Sequence, residues 1–372
     1  MTYRFLNPID LKHGAHLRNR IAMAPTTLDA SFYDGHVSSE EVEYYAKRAG
    51  GPGMIIVETA YINDLGKGFP GQISIADDSL IAGLSRIAAS IKNGGAKAVL
   101  QLHHAGRLTN HLLLNGEQPV APSAIADPNG GERPKELTNA QINQIIEDYV
   151  QAVRRAIVAG FDGIEIHGAN RFLPQQFFSR QSNHRQDKWG GKYTFILELM
   201  HRIAKKIEEV GAQHFIIGYR ISPEETYEGG YRFSDAIELG NVLAEQGTLD
   251  YIHLSLFEAI GTPFMDKNVN IPLVTLFRES LDKNIALITV GGVRNATQAE
   301  VALAAGADIV AMGIQLMIEP KWVEKHARHE ESAVRYIVSP ADYDDLKIPE
   351  PTVKMWIEGA LSHFVRFAKD EK

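Results

Sequence analysis

The sequence predicts a closed (β/α)₈ barrel, the TIM-barrel class, built as one domain over residues 1–372. Three observations predict it. Short, near-continuous apolar runs recur from end to end, as expected of parallel strands buried on both faces. Amphipathic stretches of helical period separate them, and that alternation favours a parallel sheet wrapped by helices. Three helix-to-strand joints are alike: Asn93-Gly94-Gly95-Ala96-Lys97, Ala159-Gly160-Phe161-Asp162 and Ala305-Gly306-Ala307-Asp308. In each, a glycine can end a helix in the left-handed conformation. An open doubly wound sheet is the alternative. Against it, no G-x-G-x-x-G follows a strand and opens a helix. GGPG at Gly50–Gly53 precedes a strand and reads as a turn.

In chain order, the predicted strands are Arg20–Pro25, Met54–Tyr61, Ala98–His103, Gly163–His167, Phe215–Ile221, Tyr251–Leu256, Ala286–Val290 and Ile309–Met312. Helical periodicity marks Ile81–Lys92, Ala140–Val158, Phe195–Val210, Ser234–Glu245 and Ala296–Ala305. The stretch 105–137, rich in Gly, Pro and Asn, follows the third strand. A loop that long in a compact barrel predicts a lid or active-site loop at the top face. Residues from about 325 to 372 are expected to form a C-terminal helical tail.

Composition excludes several classes. The chain carries a formal charge of −8 and 44% hydrophobic residues. It has no block of five like charges, so nucleic acid and anionic membrane are poor partners. No apolar run reaches the roughly 18 residues of a membrane span. MTYRFLNPID lacks a basic-then-apolar signal pattern. Cysteine is absent, which excludes disulfides and thiolate catalysis. A cytoplasmic enzyme is the expectation, with homo-oligomerisation left open. No H-E-x-x-H or Cys/His cluster exists, so no metal site is expected.

The most informative stretch, 161–191, reads FDGIEIHGANRFLPQQFFSRQSNHRQDKWGG. A buried strand delivers His167 to its carboxyl end, and Asn170 follows three residues later. Both side chains can donate hydrogen bonds into one small space. Two polar loop residues capping a strand would look the same. The stronger signal is convergence: Thr27, Gln101, His167 with Asn170, and Arg220 fall at carboxyl ends of different strands. Barrels of this class often bind phosphate after strands seven and eight. There the chain has Val290-Gly291-Gly292-Val293-Arg294 and Met312-Gly313-Ile314. Glycines permit close backbone approach to an anion.

The H-x-x-N step and the S-x-Q-S-N-H-R-x-D-x-(W/Y)-G-G run resemble the Old Yellow Enzyme family, the FMN-dependent ene-reductases. The resemblance extends from about Arg4 to about Val323 through RNRIAMAPTT, VETAYI, LQLHHAGR and IGYRIS. It implies a tightly bound, non-covalent FMN and NAD(P)H as hydride donor. Ala24, Pro25, Thr26 and Ala60 would lie against the flavin, with Thr27 bonding its C4 oxygen. Gln101 would pair with the pyrimidine edge and Arg220 would sit beside N1 and the C2 oxygen. A fixed cation there stabilises the anionic hydroquinone. Gly291, Gly292, Gly313 and Ile314 would cradle the phosphate. His167 and Asn170 would be the catalytic pair, gripping an oxygen of a small electrophile, with Asp29 and Phe172 lining its pocket. The implied reaction is ping-pong hydride transfer through flavin N5 to activated alkenes, quinones or nitro compounds.

Three positions depart from the family pattern. Ile314 stands where an arginine usually follows the glycine, leaving the phosphate to backbone amides and Arg294. Phe172 stands where a tyrosine usually donates a proton to the substrate α-carbon, leaving Tyr33 or Tyr61 as substitutes. Asp29 replaces an aromatic of one branch. Two other functions compete. One is a phosphate-binding barrel lyase or isomerase, which would need a strand-end lysine or a base such as Glu58 or Glu165. The other is a flavin-binding protein with little turnover.

Overall fold

A computed structural model describes residues 3–359 and 361–368. Eight strands close into a barrel: β1 Ile21–Met23, β2 Met54–Tyr61, β3 Lys97–His103, β4 Gly163–Gly168, β5 Ile216–Ile221, β6 Tyr251–Leu254, β7 Ala286–Val290 and β8 Ile309–Met312. Each is parallel to the next, and β8 pairs with β1. The predicted strands are all present, within one residue at each end except at Pro25 and Leu256, where the strand stops two residues sooner.

Period-two alternation divides the strands between two cores. Met54, Ile56, Val99, Ile216 and Ile288 fill the barrel interior. Ile55, Val57, Ala98, Leu100 and Leu287 face outward and pack under the helices. The hairpin Ile9–Asp10/His16–Leu17 closes the bottom, adding Leu11, Ala15 and Leu17 to the interior cluster.

Among the helices are α1 Ser39–Arg48, α2 Ile81–Asn93, α3 Asn139–Val158, α4 Thr194–Glu209, α5 Phe233–Glu245, α6 Leu273–Ser280 and α7 Ala296–Ala304. Sequence periodicity had not singled out α1 and α6. Helix α1 starts at a capping box of Ser38 and Glu41, and α3 at one of Thr138 and Gln141. Helix α3 buries Ile142, Ile145, Ile146, Tyr149 and Val153 at helical spacing. Each such isoleucine contributes about 1.5–3 kcal/mol by leaving water. Gly95, Gly160 and Gly306 end their helices with φ of +87°, +87° and +117°.

The 105–137 excursion is present and is anchored at both sides. Val120–Ala121 pairs in parallel with Lys135–Glu136. Buried Arg107 lies 3.5 Å from buried Asp127. The Arg185 guanidinium donates to Pro122 O at 3.0 Å and Leu137 O at 2.5 Å. The long S-x-Q-S-N-H-R run is therefore a latch for this wall. Asn183 serves the same local structure, its Nδ2 donating to Phe177 O and Trp189 O at 2.8 Å each.

The tail is only partly helical, with Trp322–Ala327, Tyr343–Leu346 and Glu350–Ile357 joined by turns. It docks on α1, where Arg48 donates to Leu346 O at 2.9 Å. Thr352 also donates to Leu28 O at 2.8 Å. Residues 1, 2, 360 and 369–372 of the expected single domain and tail lie outside the described residues.

Candidate active site

Strand register brings the polar residues together. Gln101 on β3 pairs with Glu165 on β4, His167 on β4 pairs with Arg220 on β5, and Arg220 pairs with His253 on β6. A register shift between Val57 and Thr59 in β2 leaves Glu58 as the extra residue of a bulge. Glu58 accepts from Leu28 N at 2.7 Å and from Tyr45. Thr59 sits opposite Gln101 and within 3.4 Å of the Thr27 hydroxyl.

At the floor of this site, Glu165 accepts from Gln101 Nε2 at 2.6 Å and from His253 Nδ1 at 2.9 Å. Burial pushes the Glu165 carboxyl up, but His253, Arg220 and Gln101 outweigh it and hold its pKa below the usual range. Burial, against the pull of Glu165, lowers the His253 pKa, leaving a neutral ring beside a carboxylate. Arg220 is desolvated, and Glu165 supplies its balancing charge. Glu58 and Glu165 are thus both held in local networks. Among the described residues, no group of three or more His, Cys, Asp or Glu side chains could hold a metal.

His167 is 2% exposed, and its Nδ1 accepts from Ala169 N at 3.3 Å. That bond fixes the proton on Nε2. Burial, then Arg220, His103 and His253, push its pKa well down, so the ring is a neutral donor. Asn170 is held at φ +56°. Its backbone N–H donates to Ser222 Oγ at 2.8 Å, and its Oδ1 accepts from Ser255 Oγ at 2.9 Å. The amide nitrogen remains free to donate. The next residue, Arg171, also has positive φ and pairs with Asp127 at 2.5 Å.

His103 lies behind this pair. Gln72 Oε1 accepts from Gly68 N at 2.8 Å, which turns Gln72 Nε2 towards His103 Nδ1 at 3.0 Å. His103 therefore carries its proton on Nε2, a buried donor with no partner. The Phe172 ring packs edge-on to His103. Tyr33 and Tyr61 commit their hydroxyls to Leu112 O and Asp34 O. Asp29 is strained at φ +60°, and its Oδ1 accepts from Gly71 N at 2.6 Å, so it fixes a turn.

Between the ends of β7 and β8 lies a cleft of about 160 Å³ lined by Gly291, Gly292, Arg294, Gly313 and Ile314. Gly291 has φ +130°, and a Cβ there would stand 2.6 Å from Glu258 N. Ala24 joins β1 to β8 by donating to Met312 O at 3.0 Å. Thr26 flanks the cleft, its hydroxyl 3.4 Å from where a Cβ on Gly313 would stand.

The model of the NADH:flavin oxidoreductase / NADH oxidase family matches residues 4–332. The chain belongs to that family. It is 42% identical over 356 residues to an NADH:acrylate oxidoreductase of Vibrio harveyi, covering 94% of this chain but 35% of that protein. The chain thus spans about a third of that relative's length. It is 36% identical over 348 residues to a probable NADH-dependent flavin oxidoreductase, YqiG, of Bacillus subtilis, covering 92% and 93%. Among solved structures, morphinone reductase in complex with tetrahydroNAD superposes with a TM-score of 0.78 at 26% identity, covering 99% of both chains. The Old Yellow Enzyme homologue from Zymomonas mobilis gives 0.76 at 26%, covering 92% and 99%.

The family that the chain belongs to is one of NADH:flavin oxidoreductases and NADH oxidases that take FMN. The residues present fit FMN. Gln101 Oε1 and Arg220 Nε are buried without partners, a free acceptor and a free donor for the pyrimidine edge of a flavin. Arg294 Nη1 is likewise unpartnered at the glycine cleft. Ala60, fully buried on β2, keeps that wall flat. His253 and the donor role of His103 escaped sequence reading. The signal for His253 was its spacing from Tyr251, which places both on the inner face of β6.

Proposed function

We propose that this chain oxidises NADH and passes two electrons to a small electron-poor acceptor, with quinones and nitro compounds favoured over activated alkenes. NADH is taken as donor because the names of the two relatives described above share it. FMN, when bound, supplies the hydride chemistry. The protein supplies orientation and charge. Gln101 and Arg220 hold the pyrimidine edge, and Arg220 offers a fixed positive charge where negative charge develops on reduction. His167 Nε2–H and the Asn170 amide grip the acceptor oxygen and polarise it.

The single observation that carries this reading is the His167 tautomer. Ala169 N occupies Nδ1, so a neutral N–H donor faces the pocket. Phe172 supports the acceptor preference. It cannot donate a proton, and the hydroxyls of Tyr33 and Tyr61 are already bonded to backbone carbonyls. A quinone needs no acid at carbon, because its protons go to oxygen and can come from water. A cytoplasmic location and a single-domain organisation belong to the same proposal. Among the described residues, no helix is long and apolar enough to cross a membrane.

The test is anaerobic stopped-flow with the purified flavoprotein. NADH should bleach the flavin, and a quinone should restore it faster than cyclohexenone does. A preparation that binds flavin but is not reduced by NADH would leave a flavin-binding protein without turnover.

A further inference from the structure

Val99 faces the barrel interior, and the period of two along β3 puts Gln101 and then His103 on the same inner face, His103 nearest the mouth. The β3–β4 register runs Gln101 to Glu165 and Leu102 to Ile166. Its continuation sets His103 across from His167, and the two ring centroids are 5.8 Å apart. Above the floor pair of Gln101 and Glu165 there is thus a pair of imidazoles. The acceptor-gripping role assigned above uses only one of them, His167.

The other imidazole is locked as a donor. Gln72 is fully buried, and its Oε1 accepts from Gly68 N at 2.8 Å and from Phe69 N at 3.3 Å. Its Nε2 then donates to Thr59 Oγ1 at 3.1 Å and to His103 Nδ1 at 3.0 Å. An amide whose oxygen is held by two backbone N–H groups cannot turn over, so the His103 proton stays on Nε2. Gly68 leaves room for this ring edge, since a Cβ there would stand 3.2 Å from His103 Cε1. Burial, and then the neighbouring His104, lower the His103 pKa to about 3, so the ring is neutral. Its Nε2–H is buried and has no protein partner. The aromatic rings packed on it, Phe69 and Phe172, offer no acceptor, and His167 Nδ1 is taken by Ala169 N. A buried N–H in that position is costly unless a ligand accepts from it.

We propose that His103 selects the acceptor: it donates to a second oxygen on the group whose first oxygen is gripped by His167 and Asn170, and so favours nitro compounds over ketones. The proposal rests on the acceptor-pocket reading of His167 and Asn170. A nitro group is neutral and carries two oxygens on one atom, which suits two neutral imidazole donors side by side. A ketone offers one oxygen, and its alkyl arm would leave His103 Nε2–H unpaired. Leaving a buried polar group unpaired is how a hydrogen-bonding site rejects an analogue most strongly. A carboxylate has the same two oxygens but would bring a net charge to neutral donors, with Arg220 already balanced by Glu165. His103 keeps its proton throughout; it binds the acceptor and transfers nothing.

Nitrobenzene and acetophenone are close in size and shape, and a methyl group in one stands where the other has its second oxygen. Oxidised holoprotein would be titrated with each, following perturbation of the flavin absorption. Wild-type protein should bind nitrobenzene more tightly by roughly tenfold. His103→Leu should remove that preference, and His103→Gln, which keeps a donor, should retain most of it. A purely structural role for His103 would weaken both ligands alike, so an unchanged ratio in His103→Leu would overturn the proposal. Wild-type protein that binds acetophenone as tightly as nitrobenzene would overturn it with no variant needed, so failure of His103→Leu to fold does not shield it. If neither ligand perturbs the wild-type flavin, the acceptor-pocket reading itself fails and the proposal falls with it.

Discussion

The ring of Phe172 stands edge-on to the imidazole of His167, with centroids 4.8 Å apart and planes at 75°. The same ring meets His103 at 4.2 Å and 78°. One apolar side chain thus packs against two neutral imidazoles, themselves 5.8 Å apart, each with its N–H on Nε2. It helps exclude water from both, and exclusion of water is what keeps them unprotonated. The aromatic that removes the proton donor therefore also preserves the hydrogen-bond donors. This ties acceptor choice to the electrostatics of the pocket.

Phe172→Tyr should separate those two roles. A phenol at this position restores an acid, and general acid catalysis is worth about 10²–10⁴-fold. Flavin reoxidation by an enone should accelerate, while flavin reduction by NADH stays nearly constant. Stopped-flow traces of the two half-reactions provide the measurement. Wild-type enzyme that reduces an enone as fast as a quinone, with no gain in the variant, would show that another acid already serves.

His167→Ala combined with Asn170→Ala should abolish binding of phenolate ligands, read as loss of the long-wavelength band they induce on the flavin. Bound FMN should be retained, because Gln101, Arg220 and the glycine cleft are untouched. If the double variant gives an unchanged titration, the pair does not face the ligand.

Thr27→Val should lower the flavin midpoint potential. The Thr27 hydroxyl has only a long 3.4 Å contact to Thr59, so it is free to donate elsewhere. A hydrogen bond to charge developing on the reduced ring is worth about 1.5 kcal/mol, or about 30 mV for two electrons. Dye-linked titration measures the potential. A shift of zero would place the Thr27 hydroxyl away from the flavin.

Strand positions were legible because interior burial forces apolar runs, and β2, β7 and β8 match their predicted limits residue for residue. Gln101, His167 and Arg220 were legible because strand ends converge at one face. Contacts that depend on register across distant strands were not. Glu165 and His253 lie 88 residues apart, and only the β4–β5–β6 pairing joins them. Asp29 read as a pocket residue, yet its carboxylate caps Gly71, a turn that local sequence does not disclose. Nor does any pattern in the tail announce that Phe364 returns to the β7–β8 cleft.

Buried His104 gives the fold a pH dependence of definite sign. Burial lowers its pKa to about 3, and Gly106 N donates to its Nδ1 at 3.0 Å. The unfolded chain protonates this ring near pH 6.5, while the native state does not. Its contribution to stability is therefore complete above about pH 6.5 and is lost as pH falls from there towards about 3. Within that window the loss approaches about 1.4 kcal/mol per pH unit. His104→Asn keeps an acceptor for Gly106 N but cannot titrate. Urea unfolding of the holoprotein at pH 7.5, 6.5 and 5.5 should show a shallower decline in the variant by about that amount. Titration of the FMN phosphate affects both proteins alike and cancels in the difference. Parallel declines in wild type and variant would mean that native His104 protonates as readily as the unfolded ring, and that water reaches it.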